Sequence, residues 1–133
     1  MKTFKLRKLE ILEHDKQMDP YEIKLLDGLI INREDEHDQW LVEAYIDKAY
    51  EDYFIEKQNQ EIMIQATITK DTNEPATFIT NIQSINKIGN QINVLLLGKI
   101  IDKGKSIVED LLTKLVKEGY EGLELIREFK KSF

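Results

Sequence analysis

Apolar and polar positions alternate with a period of two through the first hundred residues, and the last thirty switch to helical spacing. In "FKLRKLEI", residues 4–11, Phe4 and Leu6 share one face, whereas Leu9 and Ile11 fall on the other parity. A slip at Arg7–Lys8 explains the change if a residue there bulges out of the ladder. "YEIKL" alternates at Tyr21, Ile23 and Leu25. Asp27-Gly28 then stands between two apolar runs, which predicts a type I′ hairpin turn with residues 29–32 as the return strand. "QWLVEAYID" sets Trp40, Val42, Ala44 and Ile46 against Leu41, Glu43, Tyr45 and Asp47, a half-buried strand. The period then changes. Tyr50, Tyr53, Phe54 and Lys57 sit at helical spacing behind Asp47, a residue suited to an N-cap, so a short helix is expected near 48–57.

Strand character returns at Ile62, Ile64, Ala66 and Ile68, and again through Phe78, Thr80 and Ile82, with the turn-forming "KDTNEPA" between them. Gly89-Asn90 is a second hairpin signal. It leads into "INVLLLGKI", a run so continuously apolar that burial on both faces is expected. Beyond residue 101, Ile107, Val108, Leu111, Leu112, Leu115 and Val116 form a wide helical stripe. Ser106 and Glu109 have capping-box spacing, so the helix starts there or slightly earlier at Asp102, and Gly119 is placed to stop it. Leu125, Ile126, Phe129 and Phe133 make the apolar face of a second helix, close enough for a helical hairpin. Strands first and helices last give an α+β fold. Residues 1–101 are expected to form a small antiparallel β-barrel core, the closed form being the economical way to hide strand edges. Residues 102–133 are expected to form a C-terminal two-helix hairpin on or beside it.

Composition narrows the functional classes. The 133-residue chain has no cysteine, which excludes disulfides, thiolate zinc sites and cysteine nucleophiles, and fits a reducing, cytoplasmic setting. The N-terminal "MKTFKLRKLEILEHD" lacks the apolar core of a signal peptide. The longest apolar stretch, "INVLLLGKII", is short and interrupted by Asn93 and Lys99, where a membrane helix needs about 20 apolar residues. The net charge of −6 is unevenly spread: residues 34–61 carry ten acidic and two basic side chains, while the rest of the chain is close to balance. Such a chain repels phosphate backbones, so neither nucleic acid nor membrane is expected as a partner.

Candidate chemistry is sparse. "EDEHD", residues 34–38, gathers four carboxylates and a histidine, and Asp35, His37 and Asp38 are its candidate metal ligands. Consecutive side chains diverge, however, and the loop lacks the alternating spacing and central glycine of a calcium site, so a solvated loop between strands is the expected reading. Gly104-Lys105-Ser106 ends like a phosphate-binding loop, but that motif needs glycine at residue 99, which is lysine. The two histidines, His14 and His37, have no spacing that suggests a catalytic triad. Glu51 and Asp52 read as the wet face of the short helix. Tyr45, Tyr50, Tyr53 and Phe54 cluster beside the acidic segment, and Glu51, Asp52 and Tyr53 are the candidate interaction residues, an acidic and aromatic surface suiting a basic partner.

"MKTFKL" at the start, "LLDGLIIN" at 25–32, "WLVEAYIDK" at 40–48 and "EPATF" at 74–78 resemble, in order and over the whole chain, the YwpF-like family of small proteins from Gram-positive bacteria. The resemblance implies a β-barrel followed by a helix pair, similar in fold to the type VI secretion tube protein Hcp. It supplies no catalytic residues, and fold alone does not fix function. The leading expectation is a non-enzymatic interaction or assembly module without cofactor, acting on a protein partner or on itself. A barrel that holds a small ligand is the alternative, and a metal-dependent hydrolase using Asp35, His37 and Asp38 a remote one.

Overall fold

The computed structural model describes residues 1–12, 20–101 and 105–132. Seven strands, a short helical segment and two further helices follow in chain order: β1 (Lys2–Leu12), β2 (Pro20–Ile23), β3 (Leu25–Asn32), β4 (Gln39–Asp47), a 3₁₀ turn (Lys48–Tyr50) running into α1 (Glu51–Glu56), β5 (Glu61–Ile68), β6 (Ala76–Ile88), β7 (Gln91–Ile101), α2 (Lys105–Lys117) and α3 (Gly122–Lys130). Every strand pair is antiparallel, in the order β1-β3-β4-β7-β6-β5, and β5 pairs back with β1. The result is a closed six-stranded barrel with an α+β layout. The short β2 continues β3 along the same edge of β1, pairing Leu9 with Ile23 while β3 pairs Lys5 with Leu29.

The slip at Arg7–Lys8 is a bulge: the β1–β5 register shifts between Leu6 and Lys8, so Leu6, Leu9 and Ile11 all reach the interior despite their mixed parity. Gly89 is the hairpin turn between β6 and β7, with φ 61°, the conformation glycine adopts without strain. Asp27-Gly28 is not a turn. Both residues lie inside β3, Gly28 opposite Ala44 and Ile30 opposite Val42, and the ladder bulges between Leu25 and Asp27. The glycine is needed here for closeness rather than for turning. A Cβ at residue 28 would come within 3.0 Å of the Leu6 side chain. Asp27 braces the bulge, its Oδ1 accepting from the Gly28 N–H at 2.8 Å and from the Lys5 ammonium.

The barrel interior is filled by side chains. Leu6, Leu9, Ile30, Val42, Ala44, Ile46, Ile62, Ile64, Phe78, Ile92, Val94 and Leu96 form one buried cluster. One mouth is closed by aromatic rings, with Trp40 stacked on Phe4 at 6.4 Å and edge-on to Phe78 at 5.5 Å. The other is crossed by α1, because β4 and β5 lie on opposite sides of the barrel and their connection must bridge it. Asp47 caps this crossing, its Oδ1 accepting from the Ala49 N–H at 2.8 Å, and Phe54 drops wholly into the interior. Truncating Phe54 to alanine would cost about 3–5 kcal/mol at such a site.

A second core lies outside the barrel. Leu12, Met63 and Ile79 on the outer wall pack against Val108, Leu112 and Leu115 of α2 and Leu125, Ile126 and Phe129 of α3. Gly119, at φ 98°, ends α2, while the Tyr120 N–H reaches back to the Leu115 carbonyl and the Gly119 N–H to that of Val116. This pair covers β5 and β6, so β5 is the strand buried on both faces. The expectation for "INVLLLGKI" is thereby corrected. In β7, Ile92, Val94 and Leu96 are buried while Leu95 and Leu97 stay half-exposed, because no element covers that wall among the described residues. The Ser106 side chain, Asp102, Gly104, His14 and Phe133 lie outside the described residues.

Candidate functional site

The acidic loop joins β3 to β4 at the aromatic-plugged mouth, and Asp35 serves the loop itself. Asp35 Oδ1 accepts from the backbone N–H groups of His37 at 3.1 Å and Gln39 at 3.0 Å, while Oδ2 lies 3.5 Å from the Arg33 guanidinium. These contacts, the Gln39 N–H foremost, hold the Asp35 carboxyl below its usual range. Glu34 receives the N-terminal ammonium at 3.2 Å and has Lys2 3.7 Å away, and the ammonium contact lowers its pKa too. Glu34 and Asp38 both adopt left-handed backbone at φ 53°, and the Arg33 N–H closes the loop on the Gln39 carbonyl. His37 and Asp38 are exposed. Among the described residues no three His, Asp or Glu side chains are grouped as metal ligands. Asp35 is tied into the turn, with the His37 backbone N–H on its Oδ1, while the His37 and Asp38 side chains stay exposed.

The candidate interaction residues lie at the opposite mouth, on α1, and face three ways. Glu51 is not on the wet face of the helix: it is buried and ion-paired with Lys87 of β6 at 3.4 Å. Asp52 is exposed. Tyr53 is half-buried, packed on Tyr21 at 5.6 Å and edge-on to Phe54 at 5.3 Å, with the Lys57 ammonium 5.7 Å from its ring. Tyr50 donates no cap to α1; its hydroxyl accepts the Lys24 N–H at 3.1 Å and pins the β2–β3 junction. Tyr45 lies instead on the outer wall, with its hydroxyl 3.2 Å from Gln91 Oε1.

Two features went unread in the sequence. The outer wall of β3, β4 and β7 presents Leu29, Ile31, Leu41, Leu95 and Leu97 at adjoining register positions: Ile31 opposite Leu41, and Leu41 opposite Leu97. Leu29 is 39% exposed and the others are half-buried. The available signal was the aliphatic residue at both parities of β4 and β7. The second feature is a groove between α3 and the outer faces of β6 and β7. Its larger lobe, about 470 Å³, runs along Gln39, Asn81, Leu97 and Lys99, and a lobe of about 360 Å³ continues past Asn59 and Arg127. Both lobes share Glu61, Asn81 and Lys130, with Lys130 Nζ 2.6 Å from Glu61 Oε2.

The YwpF-like protein family profile matches residues 2–132. The chain belongs to that family. It is 41% identical to the uncharacterized protein YwpF of Bacillus subtilis strain 168, over 98% of each chain. The crystal structure of a hypothetical protein from Staphylococcus aureus superposes with a TM-score of 0.74 at 31% identity, over 98% of this chain and 91% of that one. No helix among the described residues is long and apolar enough to cross a membrane.

Proposed function

We propose that this YwpF-like chain is a non-enzymatic interaction module whose working surface is the bare barrel wall of β3, β4 and β7, acting in the cytoplasm. One observation carries the reading: five aliphatic side chains sit half-exposed on a wall that needs none of them for its interior, which is already filled from the other face. A contiguous exposed apolar patch marks a contact surface more often than a scattered one does. A second copy of the chain is the occupant proposed. Flat antiparallel walls of like composition pack face to face at about 10 Å, and a two-fold axis makes one patch its own complement. Charges of both signs lie on the wall, the Lys5–Asp27 ion pair near one border, Glu43 in the middle and Lys99 at the far border, so two copies can set Glu43 against Lys99. An Hcp-like assembly of barrels is part of this proposal.

The test is solution mass by light scattering over a concentration series, at two salt concentrations, for the wild type and Leu41→Glu. A discrete oligomer that Leu41→Glu returns to monomer supports the reading. A strict monomer at every concentration sinks self-association. The filled interior argues against a ligand held inside the barrel, and the internal hydrogen bonds of Asp35 argue against the hydrolase reading.

A further inference from the structure

We infer that the groove between α3 and the β6–β7 wall binds an acidic polypeptide segment in extended conformation. It differs from self-association through the bare wall in resting on α3 and β6, although the two surfaces meet at Leu97 and Lys99. The first observation is charge. The protein carries −6 overall, yet the charged side chains lining the two lobes are Lys99, Arg127, Lys130 and Glu61, three cations against one anion. This is a local reversal of sign in an acidic molecule, and fields of that kind select partners of the opposite charge.

The second observation is the chemistry between the charges. Gln39, Asn81 and Gln83 line the larger lobe. Each side-chain amide both donates and accepts, which matches the alternating N–H and C=O groups of an extended backbone. Leu97 and Ile101 supply an apolar floor for intervening side chains. The third observation is shape. The two lobes run end to end past the Glu61–Lys130 ion pair and open to solvent along their length, whereas sites for small molecules bury most of the ligand. Glu61 holds Lys130 upright over the join of the lobes, where a partner carboxylate can share the ammonium. None of this is visible in sequence order, because β4, β5, β6, β7 and α3 each contribute to the groove.

The probe is a labelled hexapeptide alternating glutamate and valine, capped at both ends, with a glutamine-for-glutamate peptide as control, followed by fluorescence anisotropy on the full chain. Saturable binding of the acidic peptide that weakens with salt is expected. Lys99→Glu and Lys130→Glu should each weaken it by about tenfold or more, whereas Leu29→Glu, on the bare wall but in neither lobe, should leave it unchanged. Lys130→Glu faces Glu61, so if that variant does not fold, Lys99→Glu, on an exposed strand position, decides alone. Equal binding of the glutamine peptide would overturn the inference, as would indifference to the reversal at Lys99 or no saturation up to about 1 mM, an affinity of only about −4 kcal/mol. Complete displacement by a few equivalents of inorganic phosphate would also overturn it, reassigning the groove to a small anion.

Discussion

The covered wall and the bare wall of this barrel are built from strands of similar composition, yet one is dry and the other half wet. On the covered side, "EIMIQATI" of β5 is buried on both faces although it contains Gln65 and Thr67. On the bare side, "QINVLLLGKII" of β7 is more apolar and keeps Leu95 and Leu97 half-exposed. Hydrophobicity along a strand therefore says how much surface wants covering, and the path of the chain decides which surface is covered. Here α2 and α3 fold back over β5 and β6. The wall left bare has retained its leucines, which is what makes it a candidate interface rather than an ordinary solvated face.

The comparison breaks most sharply if the helix pair is removed. Deleting residues 102–133 strips Leu12, Met63 and Ile79 of their partners, and loss of the Phe129 ring alone at a fully buried site costs about 3–5 kcal/mol. The truncated chain is expected to be insoluble or unfolded in circular dichroism; a folded, soluble barrel would show that the covered wall stands alone as well as the bare one. A smaller effect sharpens it. Gln65 is fully buried on β5, its amide nitrogen 3.5 Å from Thr77 Oγ1, and its Oε1 has no hydrogen-bond partner among the described residues. Gln65→Met should raise stability by about 1–2 kcal/mol in urea titrations, since a buried unpaired acceptor costs that much. A drop instead would mean the amide is needed where it lies.

The smallest effect is electrostatic and belongs to the bare side. Asp27 on β3, held down chiefly by its hydrogen bond from Lys5 and then by the Gly28 N–H, joins Glu34 and Asp35 of the adjoining loop as carboxylates with lowered pKa. A carboxyl depressed in the folded state adds stability above its unfolded pKa and loses it as pH falls through the folded one. Stability should therefore decline only on the acid side of about pH 4, and gently, because Asp27 and Glu34 are exposed and salt-screened and Asp35 is only half-buried. Thermal melts that fall steeply between about pH 7 and 5 would point to a different titrating group.

How much was legible followed the range of the physics involved. The bulge at Arg7–Lys8, the Gly89-Asn90 turn, the Asp47 cap and the Gly119 stop are local, and each was readable from a few neighbouring residues. Asp27-Gly28 misled because the same pair that favours a turn also suits a bulged strand in which glycine admits Leu6. Which apolar strand received a second cover was also unreadable, since that depends on where a distant helix pair lands. Glu51 read as solvated because its partner, Lys87, is 36 residues away on another element. The groove was out of reach for the same reason: Gln39, Asn81, Lys99 and Lys130 are ordinary surface residues until four elements set them side by side.

The seam between β1 and β5 has a kinetic consequence. Leu6 pairs with Ile68 and Ile11 with Ile64, so the strand made first must wait for one made much later before the ring can close. Residues 1–47 can form a sheet from neighbours, and residues 61–101 another, but joining them takes two long-range zippers, β1 with β5 and β4 with β7, with α1 as the hinge. Loop-closure entropy is spent before those contacts reward it, which places this chain among slow folders, in the range of milliseconds to seconds rather than microseconds. While the halves remain apart, the edges of β1 and β5 are exposed to other chains, and fast capture by the right neighbour is what separates a finished barrel from an aggregate.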